Sequence, residues 1–171
     1  MKIAFLDRDG TLVKDYPDKD WAFVKTPEIM EGTVEGLKVL KELGYQFILI
    51  TNQYIINEGI ISKKQYDSFT EDFVKHLKDH QIDLLDIFYC PHTSAENCGC
   101  KKPEIGMFKS AYAKYPAICV EDSIMVGDSN CDEAFAEKIG LTFYGIKGGS
   151  IDNQERCYKS IHHVSQVLGG N

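Results

Sequence analysis

Short apolar segments of strand length alternate with amphipathic segments of helical length along most of this chain. Such an alternation forms a mostly parallel sheet, because each crossover between strands carries a helix onto one face of the sheet. We therefore predict a three-layer, Rossmann-like α/β fold with helices on both faces and no separate cap domain. The predicted strands span 2–6, 45–50, 87–89, 123–126 and 141–146, and the predicted helices span 31–43, 63–80, 105–114 and 130–139.

The length and charge of the chain restrict its class further. Its 171 residues suit one domain, which we expect to span 1–171, and 43% apolar residues is ordinary for a folded protein. The net charge of −7 argues against general nucleic-acid binding, which favours a basic surface. No apolar run approaches the length of a membrane span, and only Lys2 precedes a short apolar run at the N-terminus. We expect a cytoplasmic monomer that binds neither membrane nor nucleic acid.

The first predicted strand ends at two carboxylates, Asp7 and Asp9, and Gly10 then turns the chain away. The carboxyl edge of a parallel sheet is where open α/β proteins bind ligands. Two like charges so close repel each other unless a cation or a proton lies between them. Mg²⁺ is the natural candidate, because it takes oxygen ligands from one or two carboxylates and from substrate phosphate. Taken alone, the segment is equally compatible with an ordinary polar turn.

Polar side chains recur where three later apolar segments end. In a parallel sheet they would meet at one edge, which brings together acids, a hydroxyl and an ammonium group. Phosphoryl transfer to a carboxylate nucleophile needs such a set, because one acid attacks phosphorus, another moves protons, and the cation and hydroxyl hold the phosphate oxygens. The residues of this edge are Asp7, Asp9, Thr51, Asn52, Gln53, Lys101, Lys102, Asp128 and Asp132.

Four short motifs carry a family resemblance. They are DRDGT at 7–11, TNQ at 51–53, KKP at 101–103, and GDS at 127–129 followed by Asp132. In order and spacing they resemble the motifs of the haloacid dehalogenase superfamily of phosphatases, over residues 1 to about 146. The resemblance implies the fold predicted above, a phosphoric monoester hydrolase activity and Mg²⁺ as the catalytic cofactor.

The resemblance also implies a role for each motif residue. Asp7 is then the nucleophile, and Asp9 is the general acid and base. Thr51 is the hydroxyl that binds the phosphoryl group, and Lys102 is the lysine that neutralises its charge. Asp128 is implied as the third protein ligand of Mg²⁺, beside the carboxylate of Asp7 and the backbone carbonyl of Asp9.

Several neighbouring residues are expected to support this site. Asp132 could orient Lys102 through a salt bridge, or it could be a solvent-facing acid in the first turn of a helix. Residues 12–27 show no clean period and are expected to form an irregular loop over the site. Asp15 of this loop could line the entrance, although a simply solvated loop fits the sequence equally well. The residues expected to contact substrate are Asp15, Asn52, Gln53 and Lys101.

Cysteine and histidine cluster between the third strand and the catalytic lysine. Cys90, His92, Cys98 and Cys100 supply three sulfurs and one imidazole, a complete tetrahedral zinc set that leaves no open position and is therefore structural. The spacing alone leaves open a loop of free thiols with an exposed His92. The segment is, however, similar to the zinc loop of the heptose-bisphosphate and histidinol-phosphate phosphatase branch, which implies a structural Zn²⁺ in a loop at about 90–102.

The family branch, and the positions at which this chain departs from the pattern of that branch, indicate the substrate. The resemblance implies a small phosphorylated metabolite of carbohydrate metabolism, most like the substrate of a heptose 1,7-bisphosphate 7-phosphatase. Glu58 stands where that branch has a cation, Tyr54 replaces a small residue, and Lys101 replaces an arginine, so the second phosphate is less well supported. Histidinol phosphate is the alternative. A nucleic-acid 3′-phosphatase and a non-catalytic zinc-stapled binding module are further hypotheses.

Overall fold

The computed structural model describes residues 1–152, 154 and 157–170. Strands and helices alternate through these residues, as the sequence predicts. The strands are β1 (Ile3–Leu6), β2 (Gln46–Asn52), β3 (Leu84–Cys90), β4 (Ile124–Ser129), β5 (Thr142–Ser150) and β6 (Cys157–Tyr158). The helices are α1 (Asp18–Trp21), α2 (Thr33–Glu42), α3 (Lys63–Asp79), α4 (Gly106–Lys114), α5 (Asn130–Ile139) and α6 (Ile161–Gly169).

The strands form one sheet in the order β3-β2-β1-β4-β5-β6, and every neighbouring pair is parallel. The chain runs outward from β1 through β2 to β3, and then returns to place β4 on the other side of β1. This reversal is a topological switch point, the position where open α/β sheets form a ligand crevice at the carboxyl ends of their strands. The two acids that follow β1 therefore lie at the most favourable place in the fold for a binding site.

Two apolar clusters cover the two faces of the sheet and confirm the three-layer prediction. On one face, alternate residues such as Ala4 and Leu6 of β1 pack with α2, α3 and α6. On the other face, Ile3 and Phe5 pack with α4 and α5. Because successive side chains of a strand point to opposite faces, burial of all four β1 residues requires a helical layer on each side. The described residues contain no separate cap domain.

The structure corrects several predicted boundaries. The loop predicted at 12–27 contains the short helix α1, whose four residues are too few to produce a helical period in the sequence. Strand β5 continues to Ser150, four residues beyond the predicted end at Ile146. The sequence also gave no signal for β6, which pairs with β5 through only two residues. Helix α5 has the predicted bounds, and α3 ends one residue before its predicted end.

Local capping explains where two of the helices begin. Ser62 accepts a hydrogen bond from the backbone N–H of Gln65, whose side chain accepts one in return from the Ser62 N–H. Ser129 and Asp132 form the same reciprocal capping box at α5. Such boxes satisfy backbone N–H groups that have no partner within the helix. Across the described residues, every helix is too short or too polar to serve as a membrane span.

Candidate active site

A pocket of about 850 Å³ opens at the carboxyl ends of β1, β2 and β4. It collects side chains that are distant in sequence, because the three neighbouring parallel strands all end at this edge. Of the residues predicted for the phosphate and magnesium site, Lys101 and Asp132 do not line the pocket. Those that do are Asp7, Asp9, Asp15, Thr51, Asn52, Gln53, Lys102 and Asp128.

Lys102 lies at the floor of the pocket and is almost completely buried. Its Nζ donates to Asp7 Oδ1 at 2.6 Å, to Asp132 Oδ1 at 2.6 Å and to the backbone carbonyl of Ile50 at 2.7 Å. An ammonium group has three hydrogens, so these three acceptors use all of them. Although burial opposes the charge, the carboxylates of Asp132 and Asp7 raise the pKa of Lys102, and the lysine stays cationic.

Asp132 is buried rather than solvent-facing, which excludes the second of its two predicted settings. One oxygen accepts from Lys102, and the other accepts from the backbone N–H of Ser129 at 3.1 Å and from its hydroxyl at 2.6 Å. Both oxygens are therefore engaged within the protein. This leaves Asp132 as a support for Lys102 rather than as a ligand for a cation.

Carboxylate oxygens of Asp7, Asp128 and Asp132 lie within 4.8 Å of one another. Burial raises the pKa of Asp7, and the neighbouring charges of Asp132 and Asp128 raise it further, against the opposing effect of Lys102. Burial also raises the pKa of Asp128 to about 7, with contributions from Asp132 and Asp15. Acids that repel in this way are stabilised by a cation between them. Asp7 and Asp128 are the pair left free to hold one.

Glycines leave the space that Asp128 occupies. Gly10 has a φ of +83°, and a Cβ atom added there or at Gly149 would collide with the Asp128 carboxylate. Only glycine tolerates both the left-handed backbone and this close approach. The turn after β1 and the end of β5 thus form a narrow slot that directs Asp128 toward the same space as Asp7.

Thr51 and Gln53 connect the end of β2 to Asp9. The Gln53 Nε2 donates to Thr51 Oγ1 at 2.9 Å and to Asp9 Oδ2 at 2.6 Å. Because the Thr51 hydroxyl accepts from Gln53, its own proton remains available to a phosphate oxygen. Asp9 also accepts from both sides of the Arg8 guanidinium, at 2.8 and 2.9 Å. Sequence reasoning missed Arg8, because a charged residue between two acids suggested a solvated turn.

Two predicted substrate contacts have structural partners. Asn52 pairs with the backbone of Lys102 in both directions, accepting from its N–H at 2.8 Å and donating to its carbonyl at 3.1 Å. Lys101 donates to the Ser94 hydroxyl at 3.0 Å and lies 4.4 Å above the centre of the Tyr54 ring. Contact of either residue with substrate stays a prediction. Tyr54 in turn donates to Asp18 of α1 at 3.0 Å, which joins the two loops beside the pocket.

The end of β5 adds lining residues that the sequence did not suggest. Lys147, Gly148, Gly149 and Ser150 all border the pocket. The predicted strand stops at Ile146 because the sequence turns polar from Lys147 onward. A glycine pair directly after an apolar strand is itself typical of a backbone that approaches a ligand closely, and this signal was available.

The cysteine loop after β3 forms a second cluster. Sγ of Cys90 lies 3.5 Å from Sγ of Cys98 and 3.1 Å from Sγ of Cys100, and Nδ1 of His92 lies 3.4 and 3.2 Å from the sulfurs of Cys90 and Cys100. Tetrahedral zinc with thiolate ligands separates neighbouring sulfurs by about 3.8 Å, so the four atoms are suitably close to hold one metal ion.

Backbone donors favour the thiolate form of one of these sulfurs. Burial opposes ionisation of Cys98, but backbone N–H groups of Cys100 and Lys101 lower the pKa of its thiol to about 6. The Lys101 N–H lies 3.4 Å from this sulfur. A thiolate is the form that binds metals, and such outer donors are typical of metal sites.

Comparison with known proteins decides the family. The family model described as polynucleotide kinase 3 phosphatase matches residues 2–145. The D-glycero-alpha-D-manno-heptose-1,7-bisphosphate 7-phosphatase of Photorhabdus laumondii is 39% identical over 150 residues, which are 82% of this chain and 79% of that protein. The chain therefore belongs to the polynucleotide kinase 3 phosphatase family, within the haloacid dehalogenase superfamily of phosphatases. As a member of the family it is a phosphoric monoester hydrolase, which removes the non-catalytic alternative.

Two further relatives of this phosphatase define the branch and the fold. The histidine biosynthesis bifunctional protein HisB of Legionella pneumophila is 34% identical over 146 residues, which cover 85% of this chain but 41% of that protein. The structure of D,D-heptose 1.7-bisphosphate phosphatase from B. bronchiseptica complexed with magnesium and phosphate matches with a TM-score of 0.85 at 24% identity, covering 100% of both chains. The relatives from Photorhabdus and Legionella agree with the predicted heptose-bisphosphate and histidinol-phosphate branch, and the structural match shows the same fold.

Proposed function

We propose that this chain is a Mg²⁺-dependent phosphatase of a small sugar phosphate, most like a heptose 1,7-bisphosphate 7-phosphatase. The observation that carries the proposal is the meeting of Asp7, Lys102 and Asp128 at one end of a pocket. Asp7 would be the nucleophile, Lys102 would neutralise charge beside it, and Asp128 would be a second acid for a metal. The 39% sequence identity to a heptose-bisphosphate phosphatase favours a heptose substrate over other phosphate esters.

The chain's own residues would carry the two chemical steps. A carboxylate oxygen of Asp7 attacks phosphorus while the bond from phosphorus to the leaving oxygen breaks, and Asp9 gives that oxygen a proton. An aspartyl phosphate remains on Asp7. Asp9, now ionised, takes a proton from water, whose oxygen attacks phosphorus while the bond from phosphorus to the Asp7 oxygen breaks. This frees the Asp7 carboxylate and inorganic phosphate and leaves Asp9 protonated for the next cycle. Lys102 and the Thr51 hydroxyl balance and orient the phosphoryl oxygens in both steps.

The metal ligands in this proposal are the carboxylates of Asp7 and Asp128 and the backbone carbonyl of Asp9. The convergence of oxygens and the raised pKa of Asp128 support a divalent cation at this place. When bound, Mg²⁺ supplies positive charge that shields the nucleophile from the phosphate. For the loop at 90–102 we propose a structural Zn²⁺ held by Cys90, His92, Cys98 and Cys100, supported by the cluster of their sulfur and nitrogen atoms.

Substrate contacts at Asp15, Asn52, Gln53 and Lys101 belong to the same proposal. Asp15 lines the pocket, and burial raises the pKa of its carboxyl group. Histidinol phosphate is the second candidate substrate, because HisB proteins are also relatives. The match covers 79% of the heptose-bisphosphate phosphatase but only 41% of the HisB protein. We therefore rank the sugar phosphate first. We further infer a cytoplasmic monomer that acts on a diffusible metabolite.

A screen of phosphate monoesters tests this proposal. The purified chain should hydrolyse heptose 1,7-bisphosphate faster than histidinol phosphate and simple sugar phosphates, and only when Mg²⁺ is present. The variant Asp7→Asn should lose at least about a thousandfold in kcat on every ester and remain folded by circular dichroism. Preference for histidinol phosphate would select the second candidate, and wild-type turnover by Asp7→Asn would refute the nucleophile.

A further inference from the structure

Among the described residues, Arg8 is the largest fully buried side chain, and it lies directly between the two catalytic acids in sequence. Its guanidinium group makes a two-pronged contact with Asp9. Nε donates to Oδ1 at 2.8 Å, and Nη2 donates to Oδ2 at 2.9 Å. Parallel bonds of this kind fix the plane and direction of a carboxylate as well as neutralising it.

The surroundings of Arg8 hold the guanidinium in one place. Nη2 also donates to Gln53 Oε1 at 3.0 Å, and Nη1 donates to Thr70 Oγ1 at 3.3 Å. Its central carbon lies 4.8 Å from the ring centre of Phe69 and 5.4 Å from that of Tyr66. Aromatic faces attract a guanidinium and exclude water from it. Burial opposes the charge of Arg8, but Asp9 outweighs that effect and raises the pKa of Arg8.

Gln53 completes a closed network around Asp9. Its amide oxygen accepts from Arg8 while its amide nitrogen donates to Asp9 Oδ2 at 2.6 Å. Among the described residues, Oδ2 therefore accepts two N–H groups and Oδ1 accepts one. A carboxylate oxygen has two lone pairs, so Oδ1 keeps one position open. The side chain of Asp9 is 16% exposed and lines the pocket, so its carboxyl group is within reach of a substrate.

We propose that Arg8 is a positioning residue for proton transfer, which holds Asp9 so that Oδ1 is the oxygen that gives the proton to the leaving group. The proposal rests on the proposed phosphatase function. A buried ion pair is by itself weak support for stability, since apolar replacements are often neutral or stabilising. The fork on Asp9 and the shared bond to Gln53 explain why the charge is at this position, because together they direct the carboxylate that has to meet the leaving oxygen.

Leaving-group dependence separates positioning from a merely structural role. An alkyl phosphate needs a proton on its leaving oxygen, whereas 2,4-dinitrophenolate departs without one, and kcat/KM reports the step in which that group leaves. Arg8→Met should lower kcat/KM for the best alkyl phosphate by about 30-fold or more, since proton donation contributes about 100-fold or more. It should lower kcat/KM for 2,4-dinitrophenyl phosphate by less than about threefold. Asp9→Asn should show the same selectivity.

Matched variants make the result decisive. Ser68→Ala, at an exposed position of α3 that makes no hydrogen bond to Arg8 and lies outside the pocket, should keep the wild-type ratio of the two kcat/KM values. Arg8→Lys keeps the buried charge without the fork, so it should restore thermal stability and not the ratio. Because both kcat/KM values are measured on the same preparation, their ratio does not depend on the folded fraction. If Arg8→Met does not fold, the ratio measured for Arg8→Lys serves as the test.

A double-mutant cycle gives an independent readout. If Arg8 acts through Asp9, the double variant of Arg8→Met with Asp9→Asn should hydrolyse the alkyl phosphate no more slowly than Asp9→Asn alone. Equal losses on both esters, or additive losses in the double variant, would overturn the proposal for Arg8. Failure of the wild-type chain to hydrolyse either ester would instead overturn the proposed function.

Discussion

Three lysines line the pocket, and they differ in the acids that they contact. Lys102 has all three hydrogens engaged at the floor. Lys14 contacts Glu28 at 3.0 Å in an exposed ion pair. Lys147, three residues before the end of β5, has no carboxylate within 4.0 Å among the described residues. We therefore propose that Lys147, among the described cations of the pocket, contacts a second phosphate in place of the cation that Glu58 replaces.

The substitution Lys147→Ala tests this assignment. Loss of one charge-assisted contact, about 1.5 kcal/mol or more, should raise KM for heptose 1,7-bisphosphate about tenfold. The kcat/KM for a monophosphate ester, which has no second phosphate, should change by less than about twofold. Lys38→Ala, at an exposed position of α2 outside the pocket, serves as the control and should leave both esters unaffected. Equal effects of Lys147→Ala on the two esters would contradict the assignment.

Strand ends explain why much of the site was predictable. Asp7, Thr51 and Asp128 each follow an apolar run, and a parallel sheet brings such ends to one edge whatever the lengths of the helices between them. Arg8 was not predictable, because its partners Gln53 and Thr70 are 45 and 62 residues away and carry no pattern that links them to it. The same holds for β6, whose two residues become a strand only by pairing with β5.

The loop between β3 and α4 determines where Lys102 lies. It begins at Cys90, the last residue of β3, and Cys100 precedes Lys102 by two residues. Between β3 and Lys102, the described loop has only one short 3₁₀ turn, Ser94–Glu96, as regular structure. Asn52 then fixes the Lys102 backbone from the end of β2. A metal at the cysteine cluster would hold one side of this lysine, and β2 holds the other.

Zinc removal should therefore lower both stability and turnover. Elemental analysis should give about one zinc per chain, and treatment with a zinc chelator, or the variant Cys98→Ser, should reduce kcat at least about tenfold. The expected cause is displacement of Lys102 rather than loss of a catalytic metal, so added Mg²⁺ should not restore activity. Cys119→Ala, a thiol outside the cluster, should behave like wild type. Full activity in zinc-free protein would exclude the proposed structural role.

The charge of the whole molecule bears on the family description, which names a polynucleotide phosphatase. The chain carries 26 acidic against 19 basic residues, and acids such as Asp15, Asp18, Glu28 and Glu31 line the pocket. A nucleic-acid strand needs Lys and Arg contacts along its backbone. We expect an oligonucleotide with a 3′-phosphate to be hydrolysed at less than about one hundredth of the kcat/KM for a small sugar phosphate. Comparable rates that fall steeply with added salt would contradict this expectation.

Repulsion within the acidic cluster should couple cation binding to the stability of the whole fold. Mg²⁺ at about 100 times its Kd should add about 2.7 kcal/mol to the free energy of unfolding, which corresponds to a rise of roughly 5–10 °C in Tm. Because the pKa of Asp128 is raised to about 7, protons compete with the cation below that pH. The rise in Tm should therefore be smaller at pH 6 than at pH 8.

The same raised pKa of Asp128 determines how the free energy of unfolding changes with pH in the protein without Mg²⁺. Between the pKa of about 7 in the folded state and the ordinary value of 3.8, the folded chain binds more protons than the unfolded chain. The free energy of unfolding should therefore rise as the pH falls from 8 to 6. Asp128→Asn should remove most of the response to Mg²⁺, whereas Asp83→Asn, at an exposed acid outside the pocket, should retain it. An undiminished response in Asp128→Asn would exclude Asp128 as a ligand of the stabilising cation.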